Sequence, residues 1–334
     1  MTIKVIAEAA QGYEGNYQLT EMLLKAAAAS KADAIKYQLV YADELCTPDY
    51  DYYDLFKSLE LRNSEWMQIK KLAYKLNIEL QFDIFGSKSL SLCERLNIKT
   101  IKLHPTDVSN IGLLDLVSNS KIPNICLGVG GSRFNEILTA IKVLENKKII
   151  LMTGFQNYPT PTKSNQISRI SYIREKLSQN KNVYFGFADH EVSASLKKYM
   201  IPAIAIGAGA SFIEKHFTLS KSLQLEDSET ALGPEDFKSF SKSIKSAYLS
   251  LGKTKNKDDF GMSNEELNYR NTIRRHVIAK SKIKKGSIIR SKDLILKRSP
   301  EKNPIKELES AIGLKAIRNI NINRALNKKD LSKK

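Results

Sequence analysis

The sequence predicts a (β/α)8 barrel followed by a small β-rich domain. Two observations predict the barrel. Eight short β-rich runs alternate with helical stretches over roughly the first 250 residues, and polar residues follow nearly every run. A third observation, a basic C-terminal segment with an internal repeat, predicts the second domain. We expect a barrel over residues 1–252, a linker over 253–268 and the C-terminal domain over 269–334.

The eight predicted strands are short runs bounded by turn-forming residues. They are residues 3–8, 33–39, 78–85, 100–104, 124–129, 148–155, 182–188 and 212–217. Between them lie stretches with helical periodicity, such as 64–76 and 163–177. A doubly wound open sheet is the competing architecture. Against it, no G-x-G-x-x-G follows the first strand, and an open sheet places its site at a switch point rather than at every strand end.

The composition is that of an ordinary globular protein, with 42% hydrophobic and 27% charged residues. No apolar run approaches the ~20 residues that a membrane-spanning helix requires, and the N-terminus is typical of a strand rather than of a targeting peptide. The spacings of Cys46, Cys93 and Cys126 fit neither a disulfide framework nor a metal knuckle. We therefore expect a cytoplasmic protein with reduced cysteines and no membrane partner.

The C-terminal segment carries most of the net charge of +17. Residues 269–334 contain 20 Lys+Arg against 5 Asp+Glu, but few aromatic residues for base stacking, so we do not expect nucleic-acid binding. Residues 279–294 recur approximately at 316–331, and Gly286 is matched there by Asn323. Both residue types tolerate the positive φ of a turn. The repeat predicts a pseudo-symmetric β domain.

Polar residues near the ends of the predicted strands would share one mouth of the barrel, where such enzymes hold their chemistry. They are Glu8, Lys36, Gln38, Asp83, Lys102, Asp107, Gln156, Tyr158, Asp189, His190 and His216. The two histidines follow neighbouring strands, close enough for their imidazoles to share a divalent ion. Such an ion, with open positions, could polarise a substrate carbonyl. We predict a metal site; a packing role for each histidine is the alternative.

Lys36 and Lys102 are charged residues within otherwise apolar strands. Burial of a lysine costs free energy unless the ammonium is paired or used. One interpretation is a pair of cations that holds an anionic substrate by its phosphate or carboxylate. The alternatives are ion pairs to Glu8 or Asp107, and a lysine that forms a Schiff base with a carbonyl substrate.

Taken together, these residues resemble the N-acetylneuraminate (sialic acid) synthase family over nearly the whole chain, as a divergent member. The resemblance lies in AEAAQGYEG (7–15), KYQ (36–38), Lys102, QNYPTP (156–161), ADH (188–190), EKHF (214–217) and Asp227, eleven residues after the second histidine. The C-terminal segment resembles the antifreeze-like (SAF) domain of that family, with KRS at 297–299 in place of K-R-P.

The resemblance implies an enzyme that condenses phosphoenolpyruvate with an open-chain N-acetylated amino sugar, such as N-acetylmannosamine, to give a nonulosonic acid and phosphate. It implies that His190 and His216 hold Mn²⁺, with Mg²⁺ or Co²⁺ as alternatives. Glu8 would handle a proton at water or at a sugar oxygen. Lys36 and Lys102 would bind the donor's phosphate and carboxylate.

The resemblance also implies where the sugar binds. The predicted substrate-binding residues are Gln38, Tyr158, Asp189, Asp227 and Arg298. The arginine would reach the site from the SAF domain of a second subunit, so the active form would be a homodimer with a basic lid over an anionic substrate.

The chain departs from the family around the donor. Where the family surrounds phosphoenolpyruvate with hydroxyl and amide side chains, this sequence has Asp83, Pro105, Gly128 and Ala188. Two other functions therefore stay open. One is a metal-dependent barrel lyase or aldolase with a different donor, and the other is a non-catalytic protein that binds polyanions through its C-terminal domain. Release of phosphate during the reaction would distinguish the synthase from the lyase or aldolase. Retention of the protein on heparin without any turnover would indicate the polyanion-binding protein.

Overall fold

The computed structural model describes residues 2–155, 158–192, 194–225, 227–252 and 260–333. The chain divides into two compact units, one ending at Gly252 and the other beginning at Lys253. Their hydrophobic cores share no residue: buried core residues of the first unit run from Ile3 to Ile244, and those of the second run from Val277 to Leu331. Each unit therefore has its own core.

Eight parallel strands close into a barrel in the first unit, with each strand hydrogen-bonded to its sequence neighbours and the eighth to the first. The strands are β1 (Lys4–Ala10), β2 (Ala34–Gln38), β3 (Glu79–Ile84), β4 (Thr100–Leu103), β5 (Asn124–Gly128), β6 (Lys148–Thr153), β7 (Val183–Asp189) and β8 (Phe212–His216). Each strand coincides closely with a predicted run. The barrel prediction is confirmed, and the open-sheet alternative is wrong.

Helices lie between the successive strands and after the last one. They are α1 (Tyr17–Ala29), α2 (Ala42–Leu45), α3 (Tyr53–Ser58), α4 (Asn63–Lys75), α5 (Ser87–Arg95), α6 (Ile111–Asn119), α7 (Phe134–Val143), α8 (Ser168–Lys176), α9 (Lys197–Ala208) and α10 (Pro234–Ser250). The predicted stretch 64–76 matches α4. The predicted stretch 163–177 is shorter as a helix, because Thr162–Ser164 forms a separate 3-10 turn before α8.

The alternation of side chains along each strand determines which residues line the barrel. Ala7 packs in the large core around the barrel, whereas Ile6 and Ala34 belong to a separate apolar cluster. Glu8 and Lys36 lie two residues further along the same strands, so they face the same interior nearer the carboxyl ends of the strands. The interior is therefore apolar at one level and charged at the next.

The second unit contains helix α11 (Asn264–Ile273) and strands β9 (His276–Ala279), β10 (Leu294–Lys297), β11 (Lys315–Ala316) and β12 (Leu331–Ser332). β9 pairs antiparallel with β10, and β11 pairs antiparallel with β12. The repeat is visible in the backbone, since Gly286 and Asn323 adopt positive φ angles of 88° and 62°. The equivalent residues Ile283 and Ile320 form an antiparallel bridge with each other.

The predicted linker 253–268 is partly helical. Residues 253–259 lie outside the described part of the chain, but α11 begins within the predicted linker. Ser263 caps this helix, because its hydroxyl accepts a hydrogen bond from the Glu266 backbone N–H at 3.1 Å. Residues 264–268 are therefore helical. The helix has no buried residue, and for this reason its sequence is as polar as that of a linker.

Two expectations about the chain as a whole can be compared with the structure. Within the described residues, no helix has both the length and the apolar character needed to cross a membrane. Cys46, Cys93 and Cys126 are all free, and the last two are buried. The prediction that the sequence contains no disulfide framework is confirmed.

Candidate active site

Five charged side chains from adjacent strands meet inside the barrel, and we call them the charged layer. They are Glu214 on β8, Glu8 on β1, Lys36 on β2, Asp83 on β3 and Lys102 on β4. Each is at most 5% exposed. Three carboxyl groups therefore face two ammonium groups in a part of the barrel that excludes water.

Lys36 is the most enclosed member of the charged layer. Its Nζ lies 2.6 Å from Glu8 Oε2, 2.6 Å from Glu214 Oε2 and 3.1 Å from Asp83 Oδ1. These three carboxyl groups match the three N–H donors of an ammonium in number. Lys102 Nζ lies 2.6 Å from Glu214 Oε1, but 3.6 Å from Asp83 and 3.9 Å from Glu8. Lys102 therefore keeps more capacity to bind a ligand.

Both lysines are protonated at neutral pH. Burial disfavours the Lys36 ammonium, but the nearby acidic groups, chiefly Asp83 and Glu214, outweigh it and raise the pKa of Lys36 above its usual value. The same balance of burial and carboxylates holds the pKa of Lys102 well above its usual value. A Schiff base requires a neutral amine. The geometry thus favours ion pairing over the Schiff-base alternative.

The carboxyl groups of the charged layer differ in protonation. Burial raises the pKa of Glu8 to about 8, against the opposing effect of Lys36 and with smaller contributions from Asp83 and Glu214. Burial also acts on Glu214, but the ammonium groups of Lys102 and Lys36 outweigh it and hold its pKa well below the usual range. At neutral pH Glu8 therefore holds a proton. The charged layer thus contains a protonated carboxyl group on Glu8 and an ionised one on Glu214.

Two imidazoles lie at the carboxyl ends of β7 and β8, beside the charged layer. His216 follows Glu214 by two residues on β8, and its ring centroid is 5.4 Å from that of His190. The ring of Tyr158 lies 4.5 Å from His190 and 5.3 Å from His216. His190 Nδ1 is 2.7 Å from the Phe155 carbonyl oxygen, so it donates to that oxygen. Its Nε2 then carries the lone pair.

Both imidazoles are neutral at pH 7. Burial lowers the pKa of His190 to about 4. Burial and the neighbouring His190 lower the pKa of His216 well below its usual value. Asp227 Oδ2 lies 3.4 Å from His216 Nδ1, an arrangement by which a carboxylate orients a metal-binding imidazole. The described residues offer no group of three or more His, Cys, Asp or Glu arranged for a metal.

Gln38 lies at the rim, at the end of β2. Its Oε1 accepts a hydrogen bond from Gln11 Nε2 at 2.7 Å, and its backbone oxygen accepts one from the Tyr13 hydroxyl at 2.9 Å. Tyr13 is fully buried and packs edge-on against the rings of Tyr37 and Trp66. Aromatic packing therefore fixes the loop after β1, and this loop orients the Gln38 amide.

Two further residues were predicted to bind substrate, Asp189 and Arg298. Asp189 is fully buried and pairs with Lys215 at 3.0 Å, and its Oδ1 accepts a hydrogen bond from the Glu191 backbone N–H at 3.0 Å. Strand alternation turns Asp189 away from the interior that His190 faces. Asp189 thus braces the loop that carries His190. Arg298 belongs to the second unit, where it is exposed.

Glu214 was not among the residues predicted for this site. The signal was present, because Glu214 lies two residues before His216 in EKHF, and side chains two apart on a strand share a face. Of the two ion-pair partners proposed for the lysines, Glu8 does pair with Lys36. Asp107 instead accepts a hydrogen bond from Asn110 Nδ2 at 2.9 Å. Gln156, expected at the mouth, lies outside the described residues.

The structure also shows what surrounds the altered donor positions. A Cβ atom on Gly128 would lie 2.7 Å from Pro105 Cδ. These two residues therefore fit together only because the glycine has no side chain, and a serine at 128 would collide with the proline ring. Ala188 is buried in the apolar cluster that includes Cys126 and Met152. None of these three residues has a side-chain hydroxyl group.

Comparisons with known proteins give matches over both units. A family model described as NeuB family matches residues 23–256, and one described as SAF domain matches residues 274–332. An uncharacterized protein of Methanocaldococcus jannaschii is 30% identical over 300 residues, covering 88% of this chain and 84% of that protein. An N,N'-diacetyllegionaminic acid synthase of Legionella pneumophila is 27% identical over 341 residues, covering 96% and 92%.

Among solved structures, an N-acetylneuraminic acid (sialic acid) synthetase of Leptospira borgpetersenii in complex with citrate is similar to this chain. The TM-score is 0.71 at 26% sequence identity, and the match covers 82% of this chain and 93% of that one. A protein of Chromobacterium violaceum described as a putative spore coat polysaccharide biosynthesis protein E has a TM-score of 0.82 at 20% identity, covering 99% and 100%. This second likeness concerns the fold.

The raised pKa of Glu8 predicts a pH-dependent stability. Between the usual value of 4.5 and about 8, the folded state binds more protons at Glu8 than the unfolded state. The contribution of Glu8 to the free energy of unfolding therefore decreases as pH rises through this window, and it no longer changes above the window. We compare metal-free Glu8→Gln with metal-free wild type. The unfolding free energy of the variant minus that of wild type should increase with pH through this window, with a slope of at most about 1.4 kcal/mol per pH unit.

Urea unfolding of the two proteins at several pH values from 4.5 to 9 measures this difference. The histidines and the other carboxyl groups are present in both proteins, so the difference isolates Glu8. A difference that stays constant across the whole range would show that Glu8 ionises in the fold as it does in the unfolded chain.

Proposed function

Because the chain belongs to the NeuB family, we propose that it is a nonulosonic acid synthase, which joins phosphoenolpyruvate to an open-chain N-acylated amino sugar and releases phosphate. The observation that carries this proposal is the neutral His190–His216 pair beside a charged layer that contains Lys102. Relatives named as legionaminic and pseudaminic acid synthases support the product class. The chemistry suits the carboxyl end of a barrel, where strand ends converge.

The donor set of the two imidazoles fits a divalent ion, and we assign Mn²⁺, with Mg²⁺ and Co²⁺ as alternatives. Burial keeps both rings neutral, so a nitrogen lone pair is available on each. When bound, the ion supplies Lewis acidity that polarises the carbonyl oxygen of the acceptor sugar. Two protein ligands would leave its other positions to water and substrate. Asp227, beside His216 Nδ1, holds that ring in orientation.

The sugar would bind at the rim of the barrel. Gln38 presents an amide oriented by Gln11. Tyr158 is 37% exposed and presents its hydroxyl next to His190. Asp227 is the remaining rim residue, and it combines sugar binding with orientation of His216. Amide, phenol and carboxylate groups together can accept and donate the hydrogen bonds that sugar hydroxyl and acylamino groups require.

The two lysines would have different roles with the donor. Lys102 has one close carboxylate partner and more distant contacts to the others, so it is the cation that binds an anionic group of the donor. Lys36 is held by three carboxyl groups and positions Glu8 and Glu214. Glu8 carries a proton at neutral pH, which it can give to a developing oxygen anion during condensation. Carbon 3 of the enol forms the new C–C bond with the sugar aldehyde, one water adds at carbon 2, and phosphate leaves by cleavage of its C–O bond to that carbon.

We extend the proposal to assembly and location. Arg298 from the SAF domain of a second subunit would complete the sugar site, since its planar guanidinium binds carboxylate or carbonyl oxygens directionally. The working form would then be a homodimer. Free cysteines and biosynthetic chemistry are consistent with a reaction in the cytoplasm.

One observation favours a second candidate function. Pro105 packs against Gly128, Ala188 lies in an apolar cluster, and none of the three has a hydroxyl group that could bind phosphate oxygens. A metal-dependent lyase or aldolase, with a donor that has no phosphate, would need no such groups. Such an enzyme would form or break the same kind of C–C bond without releasing phosphate.

Product analysis tests the proposed function. The Mn²⁺-loaded protein is incubated with phosphoenolpyruvate and a panel of 2-acetamido sugars, and mass spectrometry and phosphate release are measured together. We expect one sugar to gain the three-carbon unit with one phosphate released per product. His216→Ala should lose both Mn²⁺ binding and turnover, since one imidazole alone is a weak site. A parallel incubation contains pyruvate in place of phosphoenolpyruvate, and products formed there without phosphate release would instead support the lyase.

The shared site predicts complementation between two inactive variants. Arg298→Ala lacks the proposed lid residue, and His216→Ala lacks a metal ligand. After subunit exchange, a mixed dimer contains one barrel with intact histidines that faces an intact lid, so activity should return. Activity at several mixing ratios is the measurement, with exchange verified by labelled subunits. Exchange without any recovery would show that each subunit uses its own Arg298.

A further inference from the structure

We propose that Asp83 is a specificity-determining residue of the donor pocket, an internal carboxylate that occupies the anion position between Lys36 and Lys102. This inference rests on the proposed function, because it concerns the donor of that same reaction. In this role Asp83 competes with the donor for the lysines. It lowers donor affinity in proportion to the donor's negative charge, and it favours donors with one anionic group over donors with two.

The geometry places Asp83 in contact with both cations. Its Oδ1 lies 3.1 Å from Lys36 Nζ, and its Oδ2 lies 3.6 Å from Lys102 Nζ. Asp83 is 1% exposed and lies directly opposite Lys102 in the β3–β4 register. The two oxygens of one carboxylate therefore bridge two ammonium groups, as the oxygens of a bound donor carboxylate or phosphate would.

The charge balance makes Asp83 the decisive member of the charged layer. Glu214 alone contacts both lysines at 2.6 Å. With Asp83 as a second carboxylate, the two ammonium groups are already neutralised before any ligand arrives. An incoming anion must then displace a carboxylate or be buried next to one. Like charges in a buried site repel strongly because the effective dielectric is low.

Pro105, Gly128 and Ala188 do not offset this repulsion. The Pro105 ring packs against Gly128, and Ala188 lies in an apolar cluster, so these positions offer no hydroxyl donors to a phosphate. The longest contact of Asp83, at 3.6 Å to Lys102, is the one most easily exchanged for a ligand. We therefore infer that an anionic donor enters at Lys102 and meets Asp83 there.

Equilibrium binding tests this inference without requiring turnover. Calorimetric titrations of phosphoenolpyruvate, inorganic phosphate and pyruvate into the full-length Mn²⁺-loaded chain are compared for wild type and Asp83→Asn. Removing one unit charge a few ångströms from the ligand should tighten phosphoenolpyruvate and phosphate binding by about tenfold or more. Pyruvate, with a single charge, should gain less.

Asp33→Asn is the matched control. Asp33 precedes β2 at the other end of the barrel, where it pairs with Lys245 at 3.1 Å and accepts a hydrogen bond from the Val5 backbone N–H at 2.8 Å. The substitution also removes a carboxylate from an ion pair with a lysine. Because this site is remote from the charged layer, binding of all three anions should equal that of wild type.

Two outcomes would overturn the inference. The first is unchanged or weaker anion binding by a folded Asp83→Asn, with Asp83→Thr measured in parallel. The second is failure of both variants to fold, which would make Asp83 a structural member of the layer. Failure of the proposed function would look different, since no sugar would yield product while the binding differences between variants remained.

Discussion

The ion contacts of Lys36 with Glu8, Glu214 and Asp83 are the interaction on which the rest of the site depends. They join four adjacent strands across the interior of the barrel. Burial of an ionic group is unfavourable unless its partners are present with good geometry, and removal of one partner leaves an uncompensated charge. The closed barrel supplies that geometry, because the strand register sets where each side chain points.

The charged layer also determines the state of the groups around it. The positions of Glu214 and His216 on one strand bring an ionised carboxylate and a neutral imidazole to the same interior. Lys215, between them in sequence, faces the opposite side and pairs with Asp189 next to His190. Strand β8 thus contributes Glu214 to the charged layer and, through Lys215, holds the loop that carries His190.

Much of this arrangement follows from local sequence patterns. The eight strands, the shared mouth and the repeat of the second unit all depend on periodicities that the sequence displays directly. The difference between the contacts of Lys36 and those of Lys102 does not follow from local patterns, because it depends on distances between strands that are far apart in the chain. Glu214 and Lys36 are separated by 178 positions. Asp189 was predicted to bind substrate as the neighbour of His190 in sequence, whereas strand alternation turns the two side chains in opposite directions.

The different roles of the two lysines are the central claim, and a paired comparison of Lys36→Met and Lys102→Met tests them most directly. Lys36→Met leaves Asp83 and Glu8 with only the more distant Lys102 ammonium, at 3.6 and 3.9 Å, so it should lose about 3–5 kcal/mol of unfolding free energy. Lys102→Met should retain most of the stability, because Glu214 keeps its contact with Lys36, while its KM for phosphoenolpyruvate rises. A stable Lys36→Met with weakened donor binding, together with an unstable Lys102→Met, would contradict the account.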